Sequence, residues 1–246
     1  MKSLDGMSIL ITGGGSGIGF GTARHCIERG ARVTICGRRP DKIEAAADEL
    51  GPNCHGVAAD ITAASDRQKL IAATLEHGGQ IDALINNAGN MYRGAITELE
   101  ESSLQDIFNT NVIAAMLLTG LATPHLAQRE GAVIFVGSIH TRRAFPGASP
   151  YAATKAAVQG LTRVLAAEMG EQKIRVNCLL PGAVFTEINQ RAGLMDDETA
   201  LQRLEGMADL HALGRIGTTE DVAEAMAFLI CAEWVTGAMI DIDGGL

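Results

Sequence analysis

The sequence predicts an α/β fold in which a seven-stranded parallel sheet is doubly wound, with helices on both faces. The main observation is alternation: short runs rich in β-branched residues recur along the chain, and helical patterns lie between them. The predicted strands are residues 8–12, 32–36, 56–59, 81–86, 132–137, 174–179 and 239–242. Strands buried on both faces and separated by helices form parallel sheets, so this is a Rossmann-type architecture, which binds ligands at the carboxyl ends of its strands.

Helical periodicity fills the intervals between the predicted strands. The predicted helices are residues 18–29, 41–50, 65–77, 104–128, 152–169 and 220–232. Thr218 and Asp221 form a capping pair that marks the start of the last helix. From residue 185 to 214 the alternation lapses into a mostly helical insertion, which we expect to be either a substrate lid or a plain pair of surface helices.

Length and composition predict a single domain, residues 1–246. The chain has 246 residues, and hydrophobic cores stop growing only at roughly 250 to 300 residues. Its 47% hydrophobic and 20% charged residues exclude the disordered and fibrous classes. The net charge of −9 repels a phosphate backbone, so no nucleic-acid partner is expected.

Apolar runs and cysteines favour a cytoplasmic protein. The longest wholly apolar run, residues 225–232, is far shorter than the ~18 to 20 residues that span a bilayer, so no membrane partner is expected. The N-terminal residues lack the apolar stretch of a signal peptide. The 5 cysteines form no CxxC pair, and their odd number suits a reducing compartment without a metal cluster.

A glycine-rich loop follows the first predicted strand and leads into a helix. It reads Gly13-Gly14-Gly15-Ser16-Gly17-Ile18-Gly19, a spacing on which the generic GxGxxG cannot be laid in any frame. Glycines let the backbone turn with positive φ and let a phosphate approach the helix N-terminus. The loop therefore predicts a pyrophosphate site, and the alternative is a flexible glycine-rich turn.

Two arginines stand where a dinucleotide fold chooses between a ribose 2′-hydroxyl and a 2′-phosphate. The second strand ends in Cys36-Gly37-Arg38-Arg39-Pro40, with no carboxylate at its end. A guanidinium matches a phosphate bidentately, so this segment favours NADP(H) over NAD(H), with Arg38 the better candidate. The alternative is that both arginines are solvated loop residues, one of them paired with Asp41.

Tyr151 and Lys155 lie four residues apart in a predicted helix whose first turn contains Pro150. Residues at i and i+4 share a helix face. A free Tyr titrates near pH ~10, and an ammonium about 4 Å away is worth up to ~4 kcal/mol, or roughly 3 pKa units before desolvation is subtracted. We therefore expect Lys155 to lower the pKa of Tyr151 enough for acid/base catalysis, unless the two form an ordinary surface pair.

Two further polar residues complete the candidate catalytic set. Ser138 closes the strand 132–137, where substrates bind, and its hydroxyl can donate to a substrate carbonyl oxygen beside the Tyr151 phenol. Asn111 falls on the apolar stripe of the predicted helix 104–128, where an unpartnered amide would cost about 1 to 3 kcal/mol. A buried structural asparagine is the alternative for Asn111.

Taken together, these motifs resemble the single-domain branch of the short-chain dehydrogenase/reductase family over residues 10–245. The matching motifs are Thr12-Gly13-x3-Gly17-x-Gly19, Asp60, Asn86-Asn87-Ala88-Gly89, Asn111, Ser138, Tyr151-x3-Lys155, Pro181-Gly182 with Thr186, and Asp243-Gly244-Gly245. The resemblance implies that Tyr151 is the general acid in reduction and the base in oxidation, and that Ser138 orients the carbonyl. It also implies that Lys155 holds the nicotinamide ribose and that Asn111 holds a water of a proton relay.

The resemblance implies a nicotinamide cofactor site and a homotetramer. The implied cofactor residues, beside Tyr151 and Lys155, are Gly13, Ser16, Gly17, Ile18 and Gly19 at the pyrophosphate, Arg38 and Arg39 at the ribose, Asp60 and Ile61 at the adenine, Asn87, Ala88 and Gly89 in the walls, and Pro181, Gly182, Val184 and Thr186 at the nicotinamide end. Members of the family are usually tetramers through the helices 104–128 and 152–169 and the C-terminal strand.

The substrate pocket is predicted by position alone. Its expected residues are Asn90, Met91, His140, Phe145, Gly182, Phe185 and a lid around Leu194, Met207 and His211. His140 either contacts substrate or is an exposed loop residue. Arg142 and Arg143 are expected to be solvated or to lie at a subunit interface.

The leading hypothesis is an NADP(H)-dependent ketoreductase or secondary-alcohol dehydrogenase whose partner is a small ketone or alcohol. A 3-oxoacyl thioester reductase is an alternative, although the net charge of −9 does not favour docking of an acidic carrier protein. An NAD-dependent sugar, polyol or steroid dehydrogenase is another. A non-catalytic nucleotide-sensing protein is the alternative of a different class.

Overall fold

The computed structural model describes residues 1–186, 188 and 197–246. Seven parallel strands form one sheet in the order β3-β2-β1-β4-β5-β6-β7, which confirms the predicted fold class. The strands are β1 Ser8–Thr12, β2 Arg32–Gly37, β3 Cys54–Ala58, β4 Ala83–Asn86, β5 Ala132–Val136, β6 Arg175–Pro181 and β7 Met239–Ile242. The strand ends differ from the predicted ends by up to two residues, because pairing with neighbouring strands determines where a strand ends. For example, β6 continues to Pro181, which lies opposite Ile242 of β7.

Helices cover both faces of the sheet. They are α1 Gly17–Ile27, α2 Pro40–Leu50, α3 Ala64–Gly78, α4 Glu101–Phe108, α5 Ala114–Ala127, α6 Ser149–Glu168, α7 Asp197–Glu205 and α8 Thr219–Cys231. The predicted capping pair is present at α8, where Thr218 Oγ1 accepts from the backbone N–H of Asp221 at 3.1 Å and the Asp221 carboxylate accepts from that of Thr218 at 2.7 Å. The two pairings satisfy backbone donors at the start of α8.

Alternate residues of each central strand face opposite layers, as the period of a strand requires. Leu10 of β1 belongs to the layer that contains Leu118 and Val158, from α5 and α6. Ile9 belongs to the layer that contains Ala23 of α1 and Val222 of α8. Strands buried on both faces explain why the sequence shows continuous apolar runs in place of alternation.

The predicted helix 104–128 is continuous but not uniform. It begins earlier, at Glu101, and a π-helical turn, Asn109–Ile113, separates α4 from α5. Such turns are frequent at functional sites. By length and composition alone, Glu101–Ala127 is also the one helix among the described residues that could cross a membrane, and only 39% of its most apolar stretch is buried within the chain.

The sheet order reverses direction between β1 and β4, since the chain moves outwards to β2 and β3 before it returns to β4 beside β1. The loops that follow the two strands therefore diverge and leave a crevice at the carboxyl edge of the sheet. The loops after β5 and β6 reach the same edge. The fold thus gathers the ends of β1, β4, β5 and β6 around one site.

The predicted insertion 185–214 contains α7 and a single helical turn, Ala208–Leu210. Residues 187 and 189–196, and with them Leu194 of the predicted lid, lie outside the described residues.

Candidate active site

The glycine loop after β1 is fixed by close backbone contacts. Gly13 and Gly17 have φ of +68° and +58°, a conformation that L side chains rarely adopt. A Cβ at Gly13 would lie 2.9 Å from Ala88 Cα, and one at Gly19 would lie 2.5 Å from the carbonyl oxygen of Gly13. These glycines are needed for packing, which argues against the flexible-turn alternative.

Hydrogen bonds join the glycine loop to the loop after β4. The backbone N–H groups of Asn87 and Ala88 donate to Thr12 Oγ1 at 3.1 and 3.0 Å. In return Asn87 Nδ2 donates to the carbonyl oxygens of Thr12 and Gly13 at 2.8 and 3.1 Å. The two walls of the crevice therefore hold each other in place.

Two adjoining cavities form the crevice, and Gly13, Ala88 and Gly89 line both of them. One cavity is also lined by Ser16, Gly17, Ile18, Asn87, Val136, Gly137, Ser138, Tyr151, Lys155, Pro181, Val184, Thr186 and Ile188. The other is also lined by Cys36, Gly37, Arg38, Ala59, Asp60, Ile61, Asn90 and Thr110. An elongated crevice with a glycine cradle at its middle fits a dinucleotide, with the pyrophosphate at the cradle and one nucleoside at each end.

The crevice brings together most of the predicted cofactor residues but leaves out Gly19, Gly182 and Arg39. Gly19 is buried in the first turn of α1, where it packs against the carbonyl group of Gly13. Gly182 instead packs on Asp243, where a Cβ would lie 2.7 Å from Asp243 Cα, and its N–H donates to the carbonyl oxygen of Ile242. It faces a separate cavity beside the C-terminal strand, because β6 pairs with β7 to its last residue. Arg39 is exposed at the start of α2 and does not line the crevice.

Arg38 is an exposed side chain at the adenosine end of the crevice. Burial acts to raise the pKa of the nearby Asp60, but hydrogen bonds from Thr62 and the charge of Arg38 outweigh it and hold this pKa below its usual value. The Asp60 carboxylate accepts from the backbone N–H and the hydroxyl of Thr62 at 2.9 and 2.7 Å. Arg38 is therefore a cation that lines this end of the crevice and acts on Asp60.

The other end of the crevice holds Ser138, Tyr151 and Lys155. Each is at most 7% exposed, which rules out an ordinary surface pair. The Ser138 hydroxyl is hydrogen-bonded to the Tyr151 phenol. Lys155 Nζ donates to the carbonyl oxygen of Val136 at 2.7 Å and lies 5.5 Å from the centroid of the Tyr151 ring. Pro150 occupies the first turn of α6, as predicted.

Burial, and not Lys155, dominates the pKa of Tyr151 in this structure. Burial raises the pKa of the phenol to about 12, and the hydrogen bond from Ser138 and the charge of Arg93 only partly oppose it. Burial also lowers the pKa of the Lys155 ammonium to about 8. The expectation that Lys155 lowers the pKa of Tyr151 is thus wrong for this structure. The expected attraction between ammonium and phenolate did not include the cost of burying the phenol, which is larger. The ammonium also bonds to the carbonyl oxygen of Val136 and not to the phenol.

Asn111 lies in the π-helical turn and connects three segments. Its Nδ2 donates to the carbonyl oxygen of Asn90 and to Thr154 Oγ1, both at 3.0 Å, and its Oδ1 accepts from the backbone N–H of Asn90 at 2.8 Å. A Cβ at Gly89 would lie 3.3 Å from this Oδ1 and 3.6 Å from Lys155 Nζ. Both N–H groups of the amide and one lone pair of its oxygen therefore have structural partners, and Asn111 and Lys155 both lie close to Gly89.

His140 and Phe145 reach the catalytic end, as predicted. The His140 ring lies 4.3 Å from the Phe145 ring and 5.1 Å, edge-on, from the Tyr151 ring. Its Nδ1 is 3.1 Å from Ser138 Oγ, so the exposed-loop alternative is excluded. Asn90 and Met91 line an adjoining depression with Tyr92, Ser103 and Ile188.

Arg93, which the sequence patterns did not single out, also reaches the catalytic end: its Nη2 lies 3.1 Å from His140 Nε2. The available signal was that Arg93 is the one basic residue between Asn86 and Leu104.

The remaining predicted substrate residues do not join the catalytic end. His211 is buried, its Nδ1 lies 2.9 Å from the carbonyl oxygen of Met207, and its ring packs on Gly244. The segment after α7 is thus packed on the residues that follow β7, and no described contact brings Met207 or His211 to Tyr151. Phe185 is 37% exposed and lines neither cavity of the crevice. Arg142 pairs with Asp241 on the surface at 3.0 Å, and Arg143 is exposed, in agreement with the expectation that the pair is solvated.

Comparison with known proteins gives relatives over the whole chain. The family model described as enoyl-(acyl carrier protein) reductase matches residues 13–246. L-fucose dehydrogenase of Bos taurus is 35% identical over 245 residues, covering 98% of this chain and 89% of the relative. Dehydrogenase/reductase SDR family member 4 of Homo sapiens is 34% identical, covering 96% and 86%. The crystal structure of 3-ketoacyl-(acyl-carrier-protein) reductase from Brucella melitensis complexed with NADH is 33% identical, with a TM-score of 0.91 and 99% of each chain covered.

Replacing the buried ammonium by Lys155→Met is expected to raise the free energy of unfolding near pH 7 by about 1 to 3 kcal/mol. The lysine binds its proton less tightly in the folded state, where its pKa is about 8, than at its ordinary value of 10.5. Keeping Lys155 charged therefore lowers the free energy of unfolding of the wild type by its full amount below pH about 8. This destabilisation disappears as the pH rises towards about 10.5, where the lysine is neutral in both the folded and the unfolded state. Urea denaturation of both proteins at pH about 7 and about 10 measures it.

The matched control is Lys69→Met, an exposed lysine whose Nζ bonds to the carbonyl oxygen of Ala58. Its unfolding free energy should differ from that of the wild type by no more than about 1 kcal/mol at either pH. Two results would contradict a Lys155 pKa that burial lowers to about 8. One is a Lys155→Met protein that is less stable than the wild type near pH 7. The other is a stability difference between the two proteins that does not change with pH.

Proposed function

Because the chain belongs to the short-chain dehydrogenase/reductase family, we propose that it is an NADP(H)-dependent ketoreductase or secondary-alcohol dehydrogenase. Members of this family are oxidoreductases that use a nicotinamide cofactor. The observation that carries the proposal is one continuous crevice with Ser138, Tyr151 and Lys155 buried at one end and Arg38 at the other. The substrate is a small ketone or alcohol that enters beside His140 and Phe145.

The bound cofactor supplies or accepts the hydride, and the chain's own residues handle the oxygen and its proton. Ser138 donates a hydrogen bond to the carbonyl oxygen. Tyr151 holds its proton at Oη, and a pKa of about 12 keeps the phenol protonated near neutral pH. A protonated phenol is the form of Tyr151 that donates in the reduction direction.

Lys155 and Asn111 support the proton transfer. Lys155 holds the nicotinamide ribose hydroxyls in this proposal, and its pKa of about 8 keeps it mostly charged near neutral pH. Asn111 stands beside it and positions a water that links the ammonium to solvent. The bonds from Asn111 to Asn90 and Thr154 fix the amide for that task.

Arg38 supports the choice of NADP(H). It is exposed at the adenosine end, and β2 carries no carboxylate at its carboxyl end. A guanidinium in that position binds a 2′-phosphate bidentately, whereas a 2′-hydroxyl gains little from it.

A 3-oxoacyl thioester reductase is the second candidate. The similarity to the 3-ketoacyl-(acyl-carrier-protein) reductase of Brucella melitensis favours it, and the net charge of −9 does not favour docking of an acidic carrier. Rates with a carrier-linked 3-oxoacyl thioester and with free ketones distinguish the two. A carrier-linked substrate that is reduced much faster than every free ketone would establish the second candidate.

We also propose a homotetramer in the cytoplasm. The helix α5 with the turn before it exposes an apolar strip, and α6 exposes Val164 at 54%. The strip consists of Ile113, Met116, Leu117 and Leu121, which are 38 to 48% exposed. Contiguous exposed apolar residues of this kind mark protein interfaces.

All five cysteines are free thiols, which suits a reducing compartment.

We predict that NADPH binds at least about tenfold more tightly than NADH and that it supports reduction of at least one ketone in a panel. Arg38→Gln should weaken NADPH by about tenfold or more and leave NADH nearly unchanged, because only NADPH carries the phosphate. Nicotinamide fluorescence titration measures both affinities, and absorbance of the reduced nicotinamide follows turnover. The control is Arg142→Gln, which removes a surface arginine paired with Asp241.

Equal loss of NADPH and NADH affinity in Arg38→Gln would reject Arg38 as the selector. Tighter binding of NADH by the wild type would reject NADP(H) and favour an NAD-dependent alcohol dehydrogenase. Tight cofactor binding without turnover on any ketone or alcohol would favour the nucleotide-sensing alternative.

If the apolar strip on α5 is a subunit interface, the protein is an oligomer in solution and a charge in the strip weakens it. Light scattering of the wild type should give about four times the chain mass of 25.8 kDa. Leu117→Glu should lower the assembly mass, because it places a charge in the covered strip. Ile96→Glu, at a residue that is 76% exposed away from α5 and α6, should leave it unchanged. A wild-type monomer, or a Leu117→Glu protein of unaltered mass, would contradict the proposed interface.

A further inference from the structure

The imidazole of His140 is held on three sides beside Ser138. Its Nδ1 lies 3.1 Å from Ser138 Oγ and its Nε2 lies 3.1 Å from Nη2 of Arg93. The ring stacks on Phe145 with centroids 4.3 Å apart. Arg93 is itself held by a hydrogen bond from its Nε to Met91 Sδ at 3.4 Å. The ring therefore has one defined orientation.

The contact with Arg93 determines which ring nitrogen carries the proton. A guanidinium has five N–H donors and no acceptor. Nε2 of His140 must therefore be the unprotonated nitrogen that accepts from Arg93 Nη2. A neutral imidazole carries one proton on its two nitrogens. Because Nε2 is unprotonated, that proton lies on Nδ1.

The protonated Nδ1 in turn determines the direction of the Ser138 hydroxyl. Nδ1–H donates to Ser138 Oγ, and the backbone N–H of His140 donates to the same oxygen at 3.3 Å. A serine hydroxyl has two lone pairs and one proton. With both lone pairs occupied, its proton points away from His140, towards Tyr151 or a substrate oxygen.

We propose that Arg93 and His140 are positioning residues that fix the Ser138 hydroxyl as a hydrogen-bond donor to the substrate carbonyl. The proposal deepens the proposed function and rests on it for the identity of that carbonyl. Neither residue touches the reacting atoms: Arg93 acts through His140, and His140 acts through Ser138. The opposite tautomer of His140 would take the Ser138 proton and leave an oxygen lone pair facing the carbonyl oxygen.

The charges around His140 support the neutral ring. The charged or titratable groups that face it among the described residues are Arg93 from the loop after β4 and Tyr151 and Lys155 from α6. Burial first, and then the charges of Arg93 and Lys155, lower the pKa of His140 to about 4. The ring is therefore neutral at every pH where the enzyme is expected to work.

The kinetics of substituted proteins test whether Arg93 and His140 position the Ser138 hydroxyl. His140→Leu removes the Nδ1 donor and is expected to lower kcat about tenfold, with the KM for NADPH unchanged. His140→Asn keeps most of the rate, because its amide N–H can still donate to Ser138. Arg93→Met is expected to lower kcat about tenfold near pH 8. That loss shrinks only well below pH ~6.5, because burial and Lys155 still lower the pKa of the released imidazole, and its protonation at low pH restores the Nδ1–H donor.

Arg142→Met is the control, since it removes a guanidinium from the neighbouring loop without contact to His140. It should leave kcat and its pH profile unaltered. Equal losses in His140→Leu and His140→Asn, or an Arg93→Met loss that does not shrink at low pH, would overturn the proposal.

The tautomer is measured independently of substrate and cofactor by ¹⁵N NMR of histidine-labelled wild-type protein, with the His140 signal identified by its disappearance in His140→Asn. The proposal requires a protonated Nδ1 and a bare Nε2 from pH about 5 to 9. A protonated Nε2, or titration near pH ~6.5, would overturn it. If the tautomer is as expected and no ketone is reduced, the proposed function fails and the positioning pair stands.

Discussion

The hydrogen bond from the buried ammonium of Lys155 to the end of β5 is the interaction on which the arrangement of the site depends. Nζ donates to the carbonyl oxygen of Val136 at 2.7 Å, and α6 must cross the carboxyl edge of the sheet to place it there. The same helix face carries Tyr151 to Ser138, which follows Val136 by two residues. A buried cation without an acceptor would be far more costly, so this bond holds the Lys155 ammonium at the crevice, while Val158 and Ala166 of α6 pack in the core.

The sheet and the local motifs could be predicted from sequence because their signals are local. Continuous apolar runs predict the strands, and the i, i+4 spacing puts Tyr151 and Lys155 on one helix face. Strand ends are less predictable because the partner strand sets them, as Ile242 does for Pro181. The same pairing turns Gly182 away from the cofactor crevice.

Contacts between distant segments could not be predicted in this way. Arg93 and His140 are 47 residues apart, and nothing in either segment indicates that the other faces it. The π-helical turn at Asn111 has no signature in the helical periodicity. The raised pKa of Tyr151 depends on how deeply the phenol is buried, which the spacing of Tyr151 and Lys155 does not determine.

Removing the Tyr151 hydroxyl shows whether this phenol donates the proton that completes ketone reduction, as we propose. Single-turnover reduction of a ketone by NADPH should be measured in the wild type and in Tyr151→Phe, with cofactor affinity titrated in the same samples. The rate in Tyr151→Phe should be lower by about a hundredfold to ten-thousandfold, with NADPH affinity nearly unchanged. A Tyr151→Phe protein that reduces the ketone at the wild-type rate would contradict it.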